Sequence, residues 1–182
     1  MPSSAASTVS LRKILRRFRR SRRGSTAVEF ALVAPMFFAL LFAILETAMV
    51  FFAGQVLETM AQDGARMIMT GQAQTAKYQQ ADFQSYVCNQ IPILFSCANL
   101  SIDVKSYPAF SNVVLSSQID SGGCFDPTGI GYNPGGPSQI VVVRLFYQWP
   151  MIVTGLGYNI SSLCGGSKRL LTAAAAFQTE PY

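Results

Sequence analysis

The feature that most limits this chain is Phe30–Ala53, 24 residues with one charge, Glu46, entered from a run rich in arginine. At 1.5 Å per residue a helix of that length reaches about 36 Å, enough to cross a hydrocarbon core of about 30 Å. Thirteen of the 24 are Leu, Ile, Val or Phe. At about −0.3 to −0.6 kcal/mol each, they outweigh the roughly 3 kcal/mol cost of one central acid. The run is therefore predicted to insert as a membrane-spanning helix, with a kink near Pro35, which lacks a backbone donor. The remainder of the 182 residues suits one modest domain.

Charge is distributed to match. Arg12, Lys13, Arg16, Arg17, Arg19, Arg20, Arg22 and Arg23 are eight of the 14 cations, and all precede Gly24. Beyond Gly24 six cations face nine acids, a net charge of −3. The positive-inside rule then puts the N-terminus in the cytoplasm and the C-terminal part outside it. A nucleic-acid-binding body is a poor reading of a basic pI confined to one short segment before a membrane span, and no nucleic-acid partner is expected. Leu11, Ile14, Leu15 and Phe18 recur at helical spacing among the arginines. This leader either lies on the anionic lipid leaflet as an amphipathic helix or serves only to stop and orient the chain.

Cys88, Cys97, Cys124 and Cys164 all fall in the exported part, where oxidising conditions favour two disulfides. Of three possible pairings, Cys88–Cys97 and Cys124–Cys164 is favoured. The first pair flanks a short helix-to-strand connection and the second sits in Gly-rich loops. Closing such loops contributes roughly 3 and 4 kcal/mol in the chain-entropy model. Zinc is the rival use, but no pair has C-x₂₋₄-C spacing and the chain has no His. No metal or other cofactor is expected.

Helical periodicity continues beyond the span: Val56, Leu57, Met60, Ala61, Ala65, Ile68 and Met69 form an apolar stripe beside Gln55, Glu58, Gln62, Asp63 and Arg66. One helix from Ser25 to Gly71 is predicted, about 70 Å long, with Gly71 as its C-cap. Ala81–Ile91 reads as a second helix ending at Pro92. Ser101–Tyr107, Gln139–Trp149 and Arg169–Gln178 read as strands, and the Gly- and Pro-rich stretch Ser121–Pro137 as a surface loop. The expected fold is α+β, a long N-terminal helix followed by an antiparallel sheet. The expected divisions are a basic leader, 1–24, a transmembrane helix, 25–53, and an extracytoplasmic domain, 54–182.

Glu29 carries the chemistry of the junction. A carboxylate entering a membrane costs several kcal/mol unless it is paired or neutralised. If the chain is cut after Gly24, the new amine of Ser25, on the same or a neighbouring subunit, supplies a positive charge one turn away. In a bundle of helices that pairing can fix the axial offset between subunits. The plainer alternative is a Glu reaching back to the interface at the end of an ordinary anchor. Gly24 suits a protease that needs an extended chain, or simply separates two helices. Glu46, about 25 Å further along, is read as membrane-embedded, either protonated or facing a partner helix, or as lying at the outer boundary.

The stretch RRGSTAVEFALVAPMFFALLFAILE resembles the start of TadE-like minor pilins, or pseudopilins, of the tight-adherence (Flp-type) pilus system. AQDGARMIMTGQA resembles that family's Gly-Ala-Arg segment, VCNQIPILFSC its paired cysteines, and FQTEPY its closing Glu-Pro-Tyr. The resemblance implies cleavage between Gly24 and Ser25 by a prepilin peptidase. It also implies an assembly role for Glu29, a membrane acid at Glu46, and a juxtamembrane motif at Gly64, Ala65 and Arg66. Its implied partners are the peptidase, other minor pilins, the major Flp pilin, an inner-membrane assembly platform and membrane lipid. The chain departs from the family in carrying Gln62-Asp63 where many relatives have Arg-Glu. It lacks the Asp-x-Ser-x-Ser motif of the larger TadG-like members, leaving a TadE or TadF type.

An enzyme is not expected, since there is no His, no G-x-S-x-G and no P-loop. Two alternatives keep the same hydrophobic pattern. One is a secreted protein with a cleaved signal peptide, although the apolar run far exceeds the usual length of about 7 to 15 residues. The other is an uncleaved single-pass anchor presenting a periplasmic binding or scaffold domain.

Overall fold

The computed structural model describes residues 24–90, 95–153 and 158–181. The predicted leader as far as Arg23, and Ile91 and Pro92 at the predicted end of the second helix, lie outside them; the helix itself ends at Asn89, two residues short of that expectation. Two compact units divide the chain, Met1–Phe42 and Ala43–Tyr182. The second begins inside the apolar run, ahead of the 53/54 boundary drawn from composition.

Helix α1 runs Ser25–Met69 and continues through Pro35. Thr70 ends it and Gly71, in the left-handed region at φ 74°, donates its N–H to the Ile68 carbonyl at 3.0 Å, as a C-capping glycine does. A one-turn helix α2, Gln72–Thr75, follows, then α3, Gln80–Asn89, whose first turn carries Asp82 accepting the Gln79 N–H at 2.9 Å. Strands β1 (Leu100–Tyr107), β2 (Ile140–Pro150) and β3 (Lys168–Gln178) form an antiparallel sheet in the order β1-β2-β3. This is the α+β architecture expected from the sequence, with β1 and β3 each gaining one residue at the start and β2 displaced by one residue toward its C-terminal end.

Within the second unit, β2 is the centre of the packing. Its odd-numbered residues Val141, Val143, Leu145 and Tyr147 join Leu100, Ile102 and Val104 of β1 and Leu171 and Ala173 of β3 on one face. Against that face lies a stripe of α1, Val50, Ala53, Leu57, Met60, Ala61, Ala65 and Ile68, spaced by threes and fours. Phe83 and Val87 of α3 complete the core. The helix from Glu46 to Met69 rises about 35 Å, and the 11 residues of β2 span about 36 Å. The lengths match, and the hydrogen bonds agree: Glu180 N–H, just beyond β3, meets the Met69 carbonyl at 2.9 Å, while the residues after β2 meet Glu46.

The even-numbered residues of β2 would be solvated on an ordinary one-sided sheet, yet Val142, Arg144 and Phe146 are buried. The connection from β1 to β2 covers them. Gly131 O and Asn133 N pair with Val104 at 2.8 Å along the edge of β1, and Phe125 packs on Phe146. Asp103 and Arg144, opposite each other in the register, form a buried ion pair through two guanidinium hydrogen bonds of 3.0 and 2.5 Å. Arg144 also donates to the Ser116 carbonyl at 2.8 Å, and Asp103 accepts the Gly131 N–H at 3.0 Å. The pair thus pins both halves of the covering loop. The disulfides Cys88–Cys97 and Cys124–Cys164 fasten α3 to the start of β1 and this loop to the β2–β3 connection. They are the two pairs favoured from the sequence.

Removing one member of a buried pair leaves the other uncompensated, typically by about 3 to 5 kcal/mol. Arg144→Ala should lower the denaturant midpoint accordingly, while Asp103→Leu with Arg144→Met should recover much of the loss. Urea titrations of the purified protein measure both.

Candidate functional site

In the second unit, the stem residue with the most definite environment is Glu46. It is 7% exposed and lies on the face of α1 that continues into the Val50–Ala53–Leu57 stripe. Its Oε1 accepts N–H bonds from Ile152 and, at 3.0 Å, from Val153, with Oε2 3.2 Å from the latter. One turn of backbone after β2 is thereby seated on the carboxyl group. Next to it, Thr47 Oγ1 donates to the Ala43 carbonyl at 2.7 Å and shares a 2.5 Å hydrogen bond with Tyr158 Oη. Of the readings open from the sequence, the structure gives Glu46 a partner within its own chain rather than on another helix. Sequence reasoning missed this because the donors are backbone groups 106 and 107 residues away. The only local sign was Pro150, which cannot donate to the sheet and so ends the strand's ladder.

Gly64 of the Gly-Ala-Arg motif sits where α1 crosses α3. A Cβ there would stand 3.0 Å from Phe83 Cζ and 3.3 Å from Val87 Cγ2. The missing side chain lets α3 approach, while Ala65 beside it is buried in the core stripe of α1. Arg66 is exposed in the last turn of α1, where a cation complements the helix dipole. The motif's glycine and alanine are therefore packing residues, and its arginine alone presents a charge to the surroundings.

In the first unit, Gly24 is exposed and Ser25 begins α1. Glu29 is the fifth residue of the helix and exposed, so the first turn itself contains no acid, and Glu29 lies one turn beyond Ser25. The most apolar 18-residue stretch of α1 has 6% of its residues buried. The helix is long and apolar enough to cross a membrane, and its side chains there, including Phe30, Leu32, Met36 and Leu40, are presented outward.

An open hollow beside α3 is lined by Tyr78, Asp82, Ser85 and Tyr86. Behind it Tyr132 packs on Phe83, its hydroxyl buried without a hydrogen-bond partner among the described residues. Burial, followed by the nearby Asp82 and Tyr78, pushes its ionisation up to about 12. An unfolded tyrosine loses its proton near pH 10 while this one holds it to about 12. The stability it carries is therefore complete below about pH 10 and declines as pH rises toward 12. Tyr132→Phe should flatten that part of the alkaline stability profile relative to the unaltered chain, measured by denaturation at stepped pH. No group of three or more potential metal-ligating side chains occurs among the described residues, and all four cysteines are in disulfides.

Glu46→Ala would remove the acceptor of the part-buried Ile152 and Val153 N–H groups, where hydrogen bonds to a charged group contribute about 1.5 to 3 kcal/mol. Glu46→Gln retains one acceptor oxygen and should lose less. The order Glu, Gln, Ala in unfolding midpoint, followed by the fluorescence of the single Trp149, checks the assignment.

No curated protein and no solved structure matches the chain. The family model described as TadE-like protein matches residues 24–66. That segment begins at the glycine of the junction, contains Glu29, the apolar run and Glu46, and ends on Arg66, stopping before the sheet. Over this stem, about a quarter of its length, the chain is similar to TadE-like proteins.

Proposed function

We propose that the chain is a non-catalytic minor pilin, or pseudopilin, of a Tad-type pilus, matured by a prepilin peptidase between Gly24 and Ser25. The observation that carries this reading is α1 itself: one helix whose N-terminal stretch is apolar and exposed and whose C-terminal stretch is the core of the folded domain. A signal peptide cut near residue 54 would remove Glu46, Val50 and Ala53 from the domain they complete. The stem is therefore retained, with the positive-inside rule placing the domain in the periplasm. The TadE-like match over residues 24–66 associates the chain with pilus components. In this reading the Ser25 amine and Glu29, on the same or adjacent stems, meet in a water-poor setting where the pairing is strong, and set the stagger of subunits. The other minor pilins, the major pilin and the inner-membrane platform are the corresponding partners.

The uncleaved anchor is the second reading, favoured by the intramolecular seat of Glu46, which needs no partner subunit. N-terminal sequencing of protein recovered from cells with an active peptidase separates the two: Ser25 at the start supports maturation, Met1 the plain anchor. Glu29→Ala should insert at least as well as the unaltered chain while fibre formation falls several-fold, scored by sheared pilus yield. Normal piliation in that variant would refute the assembly role.

A further inference from the structure

Around the circumference of α1, the level at which the domain begins to cover the helix differs from the level at which its uncovered side becomes polar. Covering starts at Glu46. On the uncovered side Met49, Phe51 and Phe52 remain 46%, 72% and 58% exposed, and the first exposed polar residue after them is Gln55. From Glu46 to Gln55 the helix rises about 13 Å. Over those turns one side of α1 is packed against the domain and the other is bare and apolar.

Length points the same way. A span ended by water at Glu46 would be Phe30–Leu45, about 24 Å of helix, short of a hydrocarbon core of about 30 Å. Ending it near Gly54 gives about 37 Å, which suffices. The base of the domain then lies below the water boundary. The loop at that base is suited to it. Ile152 is 88% exposed, the most exposed large apolar side chain of the molecule's described residues. No backbone donor in Pro150–Val153 is left open: Pro150 has none, Met151 donates to the Ser167 carbonyl at 2.9 Å, and Ile152 and Val153 donate to Glu46. Backbone in a water-poor layer must be satisfied in this way.

We infer that the Pro150–Val153 loop is a membrane-contacting element. Ile152, with Met49, Phe51 and Phe52, sits among acyl chains near the headgroups, and Glu46 takes up the loop's amides so that it can enter. This rests on the membrane-anchor reading above. The depth corresponds to that of interfacial amphipathic elements, about 5 to 10 Å below the headgroups, and Glu46 acts here as a positioning residue for the loop.

Tryptophan quenching by lipid tests it on the full-length chain. In a Trp149→Phe background, Ile152→Trp and, as a reference inside the span, Phe37→Trp are reconstituted in phosphatidylethanolamine–phosphatidylglycerol vesicles containing dibrominated phosphatidylcholine. Ile152 is exposed, so its replacement leaves the core intact. Both tryptophans should lose more than about half their emission to brominated lipid, and Ile152→Trp should resist aqueous acrylamide. Adding Glu46→Ala should restore acrylamide access at position 152 while leaving Phe37→Trp unchanged. If Phe37→Trp is quenched by lipid and Ile152→Trp only by acrylamide, the inference fails and the anchor stands. If neither tryptophan is quenched by lipid, both fall. Protection of Ile152→Trp from both quenchers means that protein covers the loop, which also overturns the inference.

Discussion

The structure depends on the burial of one stripe of α1 against the inner face of the sheet. Val50, Ala53, Leu57, Met60, Ala61 and Ile68 are fully or almost fully withdrawn from water, and they share one hydrophobic core with residues of all three strands. At about 25 cal/mol per Å² of apolar surface removed from water, such an interface dominates the favourable side of folding for a domain this small. A helix that supplies a domain's core cannot be removed without unfolding it. The part of α1 from Glu46 onward is in this sense an integral element of the folded domain.

Around that core, polar groups set position rather than supply driving force. Asp103 and Arg144 hold the covering loop on the outer face, where the register of β1 and β2 places them opposite each other. Buried pairs of this kind are weak sources of stability but strongly penalise arrangements that separate them. Glu46 does for the base of the domain what the ion pair does for its flank, using backbone amides instead of an opposite charge. Both devices fix a segment that has no regular secondary structure of its own.

The elements of the fold were legible because their signals are periodic. The 3.6-residue stripe after Gly54 marked the core face of α1, and the β-branched run Val141–Val143 marked β2. The cysteine pairing was legible from where the cysteines stood relative to those elements. Less accessible was anything that depends on a distant partner. Alternation places Arg144 on the face opposite Val143, but does not reveal that a loop covers that face or that Asp103 is waiting there. Glu46 was singled out as an acid in an apolar run, yet its donors are the amides of Ile152 and Val153, whose side chains say nothing about hydrogen bonding. Gly64 stood in a recognisable motif, and only the approach of Phe83 explains why no side chain fits.

The bond from Glu180 to the Met69 carbonyl returns the end of the chain to the far end of α1, about 35 Å along the helix from Glu46. A fluorescent reporter or affinity handle appended after the final strand would therefore emerge beside Met69, at the opposite end of the sheet from the Pro150–Val153 loop. Detection reagents could reach it there without disturbing the loop seated on Glu46.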